Sequence, residues 1–528
     1  MEEQDQQNRA FEKRLKRQVI GKPHRFLAVV PLGFEQTFIR EFNTLGIQTT
    51  ICDTGSAQAS NRPQVAGDGK VEFTAKITEA WKAVAYTRVA NRIMMHIADF
   101  KAENFRDLEK KASEIPWELY LPCHPEQDAA RHRVEGSISI HVTCKHSRLY
   151  HSDAVAERLQ KVIKGGSVPL APADAASATP SAGTPRNAPQ NLYVTLIDDR
   201  CTLWLDLAGE ELYKRGHERF VNDAPLKETI AAGMILESIE ILRLRAAHSA
   251  QDDTAPANIT LIDPMAGSGT FSLEAAYMAS GLIPGKCRDF ALKHQPAFKP
   301  ATWNHIVKQE SVILSETPNG VESKNLFAKI LTSDISERAV NIIRHNIECS
   351  PLAQSMTSEQ PATGAHSLPT NNSTSPAINI VPQLRDFFTY TAKEIAKACC
   401  ARNNANIPAT RDKHAATSDK HAASDNDTQP VIVLNPPYGK RLDFDAPALY
   451  TRIGKKLAEL ARELEPFGKK LTVAILAPND DPRPGSKFTC TANLLRECPA
   501  LDPANNPSAK LIATSHGGLG LGAFIAQI

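Results

Sequence analysis

Ile259-Thr260-Leu261-Ile262-Asp263-Pro264-Met265-Ala266-Gly267-Ser268-Gly269-Thr270-Phe271 is the stretch that decides how the chain folds. An apolar run meets an acid, a proline and two glycines, and a helical pattern follows at once from Phe271 to Ala279. That order predicts a strand, a tight turn and a helix. In open α/β sheets ligands bind at the carboxyl ends of such strands. Gly267 and Gly269 let the backbone approach a ligand with no Cβ in the way. The helix opening at Thr270 offers free N–H groups to a carboxylate. Two nucleotide motifs fail on the residues. A dinucleotide fingerprint wants a third glycine where Ser272 stands. A P-loop wants one more residue than Gly281 to Lys286 supplies, and Cys287 follows the lysine.

Outward from this stretch the alternation continues. Strand-like runs at 328–331, 378–381, 431–434 and 471–476 alternate with helical patterns at 337–348 and 449–464. Such alternation implies a parallel sheet covered by helices on both faces. Upstream, Leu226, Ile230, Met234 and Ile235 make one helical face, with Pro225 suited to the first turn. The end differs: 510–514 and 521–527 flank a Gly-rich turn, His516 to Gly520, and predict a terminal antiparallel hairpin. A parallel sheet closed by a hairpin is the pattern of class I (Rossmann-like) methyltransferases, here with seven strands, rather than of nucleotide-binding dehydrogenases.

Three acids follow successive strands. After Asp263 comes Asp334, where a carboxylate can accept from ribose hydroxyls, and then Asp386, which can take an adenine amine with Phe387 or Phe388 beside the ring. Singly, an acid in such a place is more often a helix N-cap or a solvated loop acid. Together with Gly267, Gly269 and Thr270 they outline a site for S-adenosylmethionine. The next strand, Val431 to Leu434, is wholly apolar and ends in Asn435-Pro436-Pro437-Tyr438-Gly439. The lone pair of an exocyclic base amine is delocalised into the ring. Acceptors aimed at its hydrogens, the Asn435 side-chain oxygen and the Pro436 carbonyl, favour the pyramidal form that can attack. Pro436 and Pro437 stiffen the turn, and Tyr438 can stack on an extruded base. These four are the candidate catalytic residues; the plain alternative is a rigid strand-to-loop turn.

The N-terminal half reads as mixed α+β. Strands are expected at 25–30, 71–77 and 137–143, and as a pair within 192–206 around Asp198-Asp199. Helices are expected at 33–45, 80–98 and 153–163. Residues 9–25 carry seven Lys or Arg against Glu12, an arm suited to phosphates or simply a solvated terminus. Segments 166–190, 354–375 and 401–429 are polar, the last with Lys-His-Ala repeated, and are expected to be flexible insertions. The length of 528 residues implies several domains. A division is expected into an arm with a ferredoxin-like unit (1–70), an RNA-binding region (71–206) and the catalytic domain (207–528). Every motif of the cofactor site lies beyond Leu203, so a fragment beginning there is expected to keep it. No apolar run reaches the roughly 18 residues of a membrane helix, and the polar N-terminus lacks a signal segment. A cytoplasmic location follows as an expectation. Ten scattered cysteines, none in C-x-x-C spacing, predict reduced thiols and no metal site.

On these residues the chain resembles the THUMP-containing class I RNA guanine-N2 methyltransferases, nearest the bacterial large-subunit ribosomal RNA enzymes of RlmL type. The resemblance rests on Leu212 to Gly216, Ala224 to Glu228, Asp263 to Thr270, Ile283 to Arg288 and Asn435 to Leu442. It is weaker upstream, over Arg25–Gly46, Ala83–Phe100 and Ile115–Glu118. It implies a ferredoxin-like/THUMP region before the catalytic domain, S-adenosylmethionine as donor, and N2-methylguanosine in 23S ribosomal RNA or a large-subunit assembly intermediate as product. Ala266 stands where many relatives have cysteine. Some relatives carry a second methyltransferase domain, which a chain ending at Ile528 is not expected to have. Alternatives are a tRNA guanine, a DNA N6-adenine or N4-cytosine target, since Asn-Pro-Pro-Tyr serves those chemistries too, and a catalytically silent RNA-binding assembly factor. The oligomeric state is not encoded in any of these signals.

Overall fold

The computed structural model describes residues 2–47, 50–52, 67–125, 132–134, 138–165, 190–221, 225–248, 258–308, 327–356, 380–400, 428–438, 445–479 and 490–528. The Lys-His-Ala repeats and most of the three polar insertions lie outside the described residues. The insertions were drawn too wide at their edges: Gln190 and Gln429 open strands, and Gln354 to Met356 belong to a short helix, Pro351–Met356. Among the described residues no helix is long and apolar enough to cross a membrane.

Contacts divide the chain into two units, each assembled from separated segments. The first comprises Met1–Pro31, Phe38–Gly216 and Ile283–Glu310. Its strands are β1 (His24–Val29), β2 (Thr50–Cys52), β3 (Lys70–Ala75), β4 (Arg92–Lys101), β7 (Ile138–Lys145), β8 (Gln190–Ile197) and β9 (Arg200–Asp206). They form one sheet in the order β2-β3-β1-β4-β9-β8-β7, and β5 (Cys123–Pro125) pairs with β6 (His132–Val134) as a separate ribbon. Asp198 and Asp199, at φ 49° and 62°, make the tight β8–β9 turn expected from that pair. The basic N-terminal stretch is helical, α1 (Glu2–Leu15) running on through Ile20, and it buries Leu15 and Val19. Residues 80–98 are not one helix. A helix, α2 (Ile77–Tyr86), ends where β4 begins six residues later. The helical reading ran on because Ile93, Met94 and Met95 are buried in succession, so this central strand shows no two-residue alternation. Residues 283–310 are tied in by hydrogen bonds: Gln190 Nε2 donates to the Ala291 carbonyl at 2.9 Å, and the Tyr86 hydroxyl to the Ile306 carbonyl at 2.8 Å.

The second unit comprises Leu32–Thr37, His217–Leu282 and Ser311–Ile528. Its strands are β10 (Ile259–Asp263), β11 (Phe327–Asp334), β12 (Gln383–Leu384), β13 (Gln429–Leu434), β14 (Thr472–Pro478), β15 (Lys510–His516) and β16 (Leu519–Gln527). The order is β12-β11-β10-β13-β14-β16-β15, parallel from β12 to β14, with β16 antiparallel to its neighbours. This is the seven-stranded, mostly parallel sheet with a closing hairpin. Its third strand is only Gln383–Leu384, so the Ile380-Val381 end of the expected strand is not part of the sheet. Gly517 and Gly518, both at positive φ, make the hairpin turn. Helices α3 (Glu228–His248) and α4 (Thr270–Ala279) are followed by α5 (Glu337–Glu348), α6 (Ala392–Cys400), α7 (Ala446–Leu464) and α8 (Cys490–Glu497). Tyr450, Ile453, Leu457, Leu460 and Leu464 present one fully buried face of α7 to the sheet, as the helical spacing requires.

Leu32–Thr37 is built into this unit. A Cβ on Gly33 would lie 2.4 Å from the Ala513 carbonyl oxygen. Glu237 on α3 is buried and accepts from Thr37 Oγ1 at 2.5 Å and Lys510 Nζ at 2.9 Å. A fragment beginning near Leu203 therefore lacks residues on which this core is packed. Phe34 sits so close to Gly233 that an added Cβ would meet its ring at 2.6 Å. Gly233→Ala should cost about 1–3 kcal/mol by overpacking, and combining it with Phe34→Leu should recover part of that loss. Urea unfolding of the three variants checks this; equal losses from Gly233→Ala with and without Phe34 would contradict the packing.

Candidate active site

β10 and β13 lie side by side in parallel, and their outgoing chains lead to opposite halves of the sheet. The crevice at their carboxyl ends is where a ligand can enter. A cavity of about 600 Å³ opens there, within the range of pockets for cofactor-sized ligands. Its wall is made by the turn after β10, by Asp334 after β11, by Asp386 to Phe388 after β12, by Asn435 to Tyr438 after β13, and by Leu449 and Arg452 of α7. Of the ten residues singled out in the sequence, Gly267, Thr270, Asp334, Asp386, Asn435, Pro436, Pro437 and Tyr438 line it.

Asp263 and Gly269 are not in the wall. Asp263 is fully buried, and its Oδ2 accepts from Ser272 N at 3.2 Å and Ser272 Oγ at 2.7 Å. Thr332 Oγ1 in turn donates to Ser272 Oγ at 2.7 Å. Asp263 thus pins the first turn of α4 from beneath. Its Oδ1 is buried with no partner among the described residues. Burial, with Asp334 nearby, pushes this carboxyl up to about 7. Gly269 is the N-cap of α4 at φ 79°, with Ile343 packed where a side chain would start.

The turn itself is shaped for close approach. Gly267 has φ 57°, and a Cβ there would stand in open space in the cavity. Asp334 holds the turn in place: Oδ2 accepts from Gly267 N at 2.8 Å and Oδ1 from Ser336 N at 2.9 Å. Each oxygen keeps a lone pair for a further donor. Asp386 accepts from Phe388 N at 3.0 Å, and the Arg452 guanidinium stacks over the Phe388 ring at 3.9 Å. Across the cavity wall stands Asn435, whose Oδ1 is buried and has no hydrogen-bond partner among the described residues. An acceptor left in that state costs free energy until a donor arrives. Burial pushes the Tyr438 hydroxyl up to about 12, so the ring stays neutral beside it.

Sequence reading missed Arg219 and Arg452. Arg219 pairs with Glu228 across nine positions of chain, and nothing in that spacing marks a contact. Arg452 falls on the exposed side of a helix read only for its apolar face.

The raised Asp263 carboxyl has a consequence for stability. Between about pH 4, its unfolded value, and about 7 the folded chain holds a proton that the unfolded chain releases. Stability contributed this way is complete below the window and lost as pH rises through it. Asp263→Asn should therefore raise the melting temperature of the ligand-free protein at pH 8, with a clearly smaller gain at pH 5. A shift of the same size at both pH values would show that the carboxyl is already ionised in the fold.

Residues 215–375 match the family UPF0020, described as "RMKL-like, methyltransferase domain". The Bacillus subtilis (strain 168) protein YpsC is 25% identical over 327 residues, covering 62% of this chain and 71% of its own. The "Ribosomal RNA large subunit methyltransferase K/L" of Psychromonas ingrahamii is 26% identical over 290 residues, which are 53% of this chain and 33% of that protein. The chain thus spans about a third of that K/L enzyme. Among solved structures, SMU.472 in complex with SAH superposes with a TM-score of 0.57 at 19% identity, covering 96% of this chain and 98% of its own. That likeness is one of fold, the class I methyltransferase fold. Residues 215–375 thus match an RMKL-like methyltransferase domain, and the relatives found on either side of that match are similar in the same direction as the motifs.

Proposed function

We propose that the protein transfers a methyl group from S-adenosylmethionine to the exocyclic N2 amine of a guanine in ribosomal RNA, 23S RNA or a large-subunit assembly intermediate being the substrate. The observation that carries the chemistry is the buried, unpartnered Oδ1 of Asn435 in the cavity wall. It is an acceptor waiting for an N–H donor, on a turn stiffened by two prolines. S-adenosylmethionine supplies an electrophilic methyl group on sulfur. Gly267 and the amino end of α4 suit its carboxylate. Asp334 and Asp386 offer acceptors to ribose hydroxyls and an adenine amine, Phe388 and its neighbour Phe387 a surface for the ring. Asp263 acts one layer below, by holding α4. On the acceptor side, Asn435 Oδ1 and the Pro436 carbonyl accept hydrogen bonds from the two amine N–H groups, and Tyr438 stacks on the base; the nitrogen lone pair displaces S-adenosylhomocysteine from the methyl carbon, and the methylated amine then loses one proton to solvent.

Ribosomal RNA as substrate is supported by the names of the K/L relatives. The N2 position of guanine is supported by the motif resemblance. The helical basic stretch at the N-terminus and the α+β unit around it are the proposed RNA-binding part.

Asn435→Ala removes an acceptor needed mainly in the transition state, so turnover should fall on the order of 100-fold or more. Affinity for S-adenosylhomocysteine should stay within about twofold. Turnover near wild type would remove Asn435 from the chemistry. The substrate is tested separately, by mass spectrometry of ribosomal RNA nucleosides from a strain lacking the protein. Loss of an N2-methylguanosine is expected; unchanged ribosomal RNA with a changed DNA or tRNA nucleoside would overturn the assignment.

A further inference from the structure

The stretch from His217 to Val221 is fastened to α4, to α5 and, through Arg219, to the Gly-rich turn itself. His217 Nε2 meets the Tyr277 hydroxyl of α4 at 3.0 Å. Phe220 N donates to Asn346 Oδ1 at 2.7 Å, while Asn346 Nδ2 donates both to the Phe220 carbonyl at 2.9 Å and to the Ser268 carbonyl at 3.0 Å. Between them stands Arg219. Its Nη1 pairs with Glu228 Oε1, and both side chains are nearly buried, at 11% and 13% exposure. Its Nη2 donates to Ser268 Oγ at 3.3 Å and to Thr270 Oγ1 at 2.5 Å. Its Nε is buried with no partner among the described residues.

Burying a guanidinium is costly, and a carboxylate partner is what usually offsets it. Here the carboxylate takes one nitrogen only. The other is directed to two hydroxyls on the turn whose residues line the cavity, and the third hydrogen-bonding position is left empty. An ion pair serving the core alone would place its fork on the carboxylate. This one is divided between charge balance and the turn. We propose that Arg219 is a positioning residue for the donor site: balanced by Glu228, it holds the Ser268 and Thr270 side chains so that the turn keeps the shape that receives the donor. Asn346 fixes the same Ser268 through its carbonyl, so the turn is gripped at both side chain and backbone. The inference rests on the cavity being the donor site.

The test is calorimetric binding of S-adenosylhomocysteine to the full-length protein, with the melting temperature of each ligand-free variant measured alongside. Arg219→Ala should weaken binding about tenfold or more, the range of a hydrogen bond from a charged group. Arg219→Lys should not restore it, because a point charge cannot serve Glu228 and two hydroxyls together. The double variant Ser268→Ala/Thr270→Val should lose a similar amount. Adding Arg219→Ala to it should lose little more, since the three residues act as one unit. Should Arg219→Ala fail to fold, Arg219→Lys takes its place in the same cycle with the same expectation. Binding by the Arg219 variant within twofold of wild type, or losses that add in full, would overturn the proposal. A lowered melting temperature with unchanged affinity would make Arg219 a core residue only. Absence of binding by the wild-type protein would instead remove the donor site itself, and the proposal with it.

Discussion

Two parallel strands lying next to each other, β10 and β13, set the terms for everything in the catalytic unit. Their connections leave in opposite directions along the sheet, so no helix can close the space above their carboxyl ends. Most residues on the rim of that space arrive there at or just past the end of a strand. Asp334 ends β11, Asp386 comes two residues after β12, Asn435 follows β13, and the Gly-rich turn follows β10. The residues proposed for the donor and acceptor sides are thus brought to one cavity largely by the sheet order, with side chains adjusting the detail.

The adjustment is electrostatic. Asp334 is occupied with two backbone N–H groups of the cavity wall, Asp263 with the first turn of α4. The site therefore keeps its carboxylates at work before any ligand arrives, and it leaves two buried acceptor atoms, Asp263 Oδ1 and Asn435 Oδ1, without donors. Unsatisfied buried acceptors reduce stability. One in the cavity wall and one beneath it, they fit a site whose free form is less stable than its occupied form.

The catalytic half was legible where the backbone itself demanded particular residues. Gly267 and Gly269 stand at positive φ, Asp198-Asp199 and Gly517-Gly518 turn hairpins, and the apolar run 431–434 is a strand covered on both faces. Residues whose partners are distant in sequence were not legible. Arg219 meets Glu228, Ser268 and Thr270, and Glu237 meets Thr37 and Lys510, at separations that carry no periodic signal. β4 was misread for a related reason: burial on both faces erases the alternation by which a strand is recognised. The two-residue β12 is too short to leave a pattern at all.

The exchange of segments between the units has a bearing on how the chain is made. Leu32–Thr37 leaves the ribosome early, yet its place beside Ala513 exists only when the terminal hairpin has been synthesised. At roughly 5–20 residues per second, that interval is on the order of half a minute or more. The first unit waits as well, for residues 283–310 to emerge beyond the Gly-rich turn of its neighbour. Neither unit can be finished from a contiguous stretch of nascent chain. Phe34, buried in the completed protein, must stay in the open or be sheltered meanwhile. For this chain, completion of the second unit waits on synthesis of the β15–β16 hairpin.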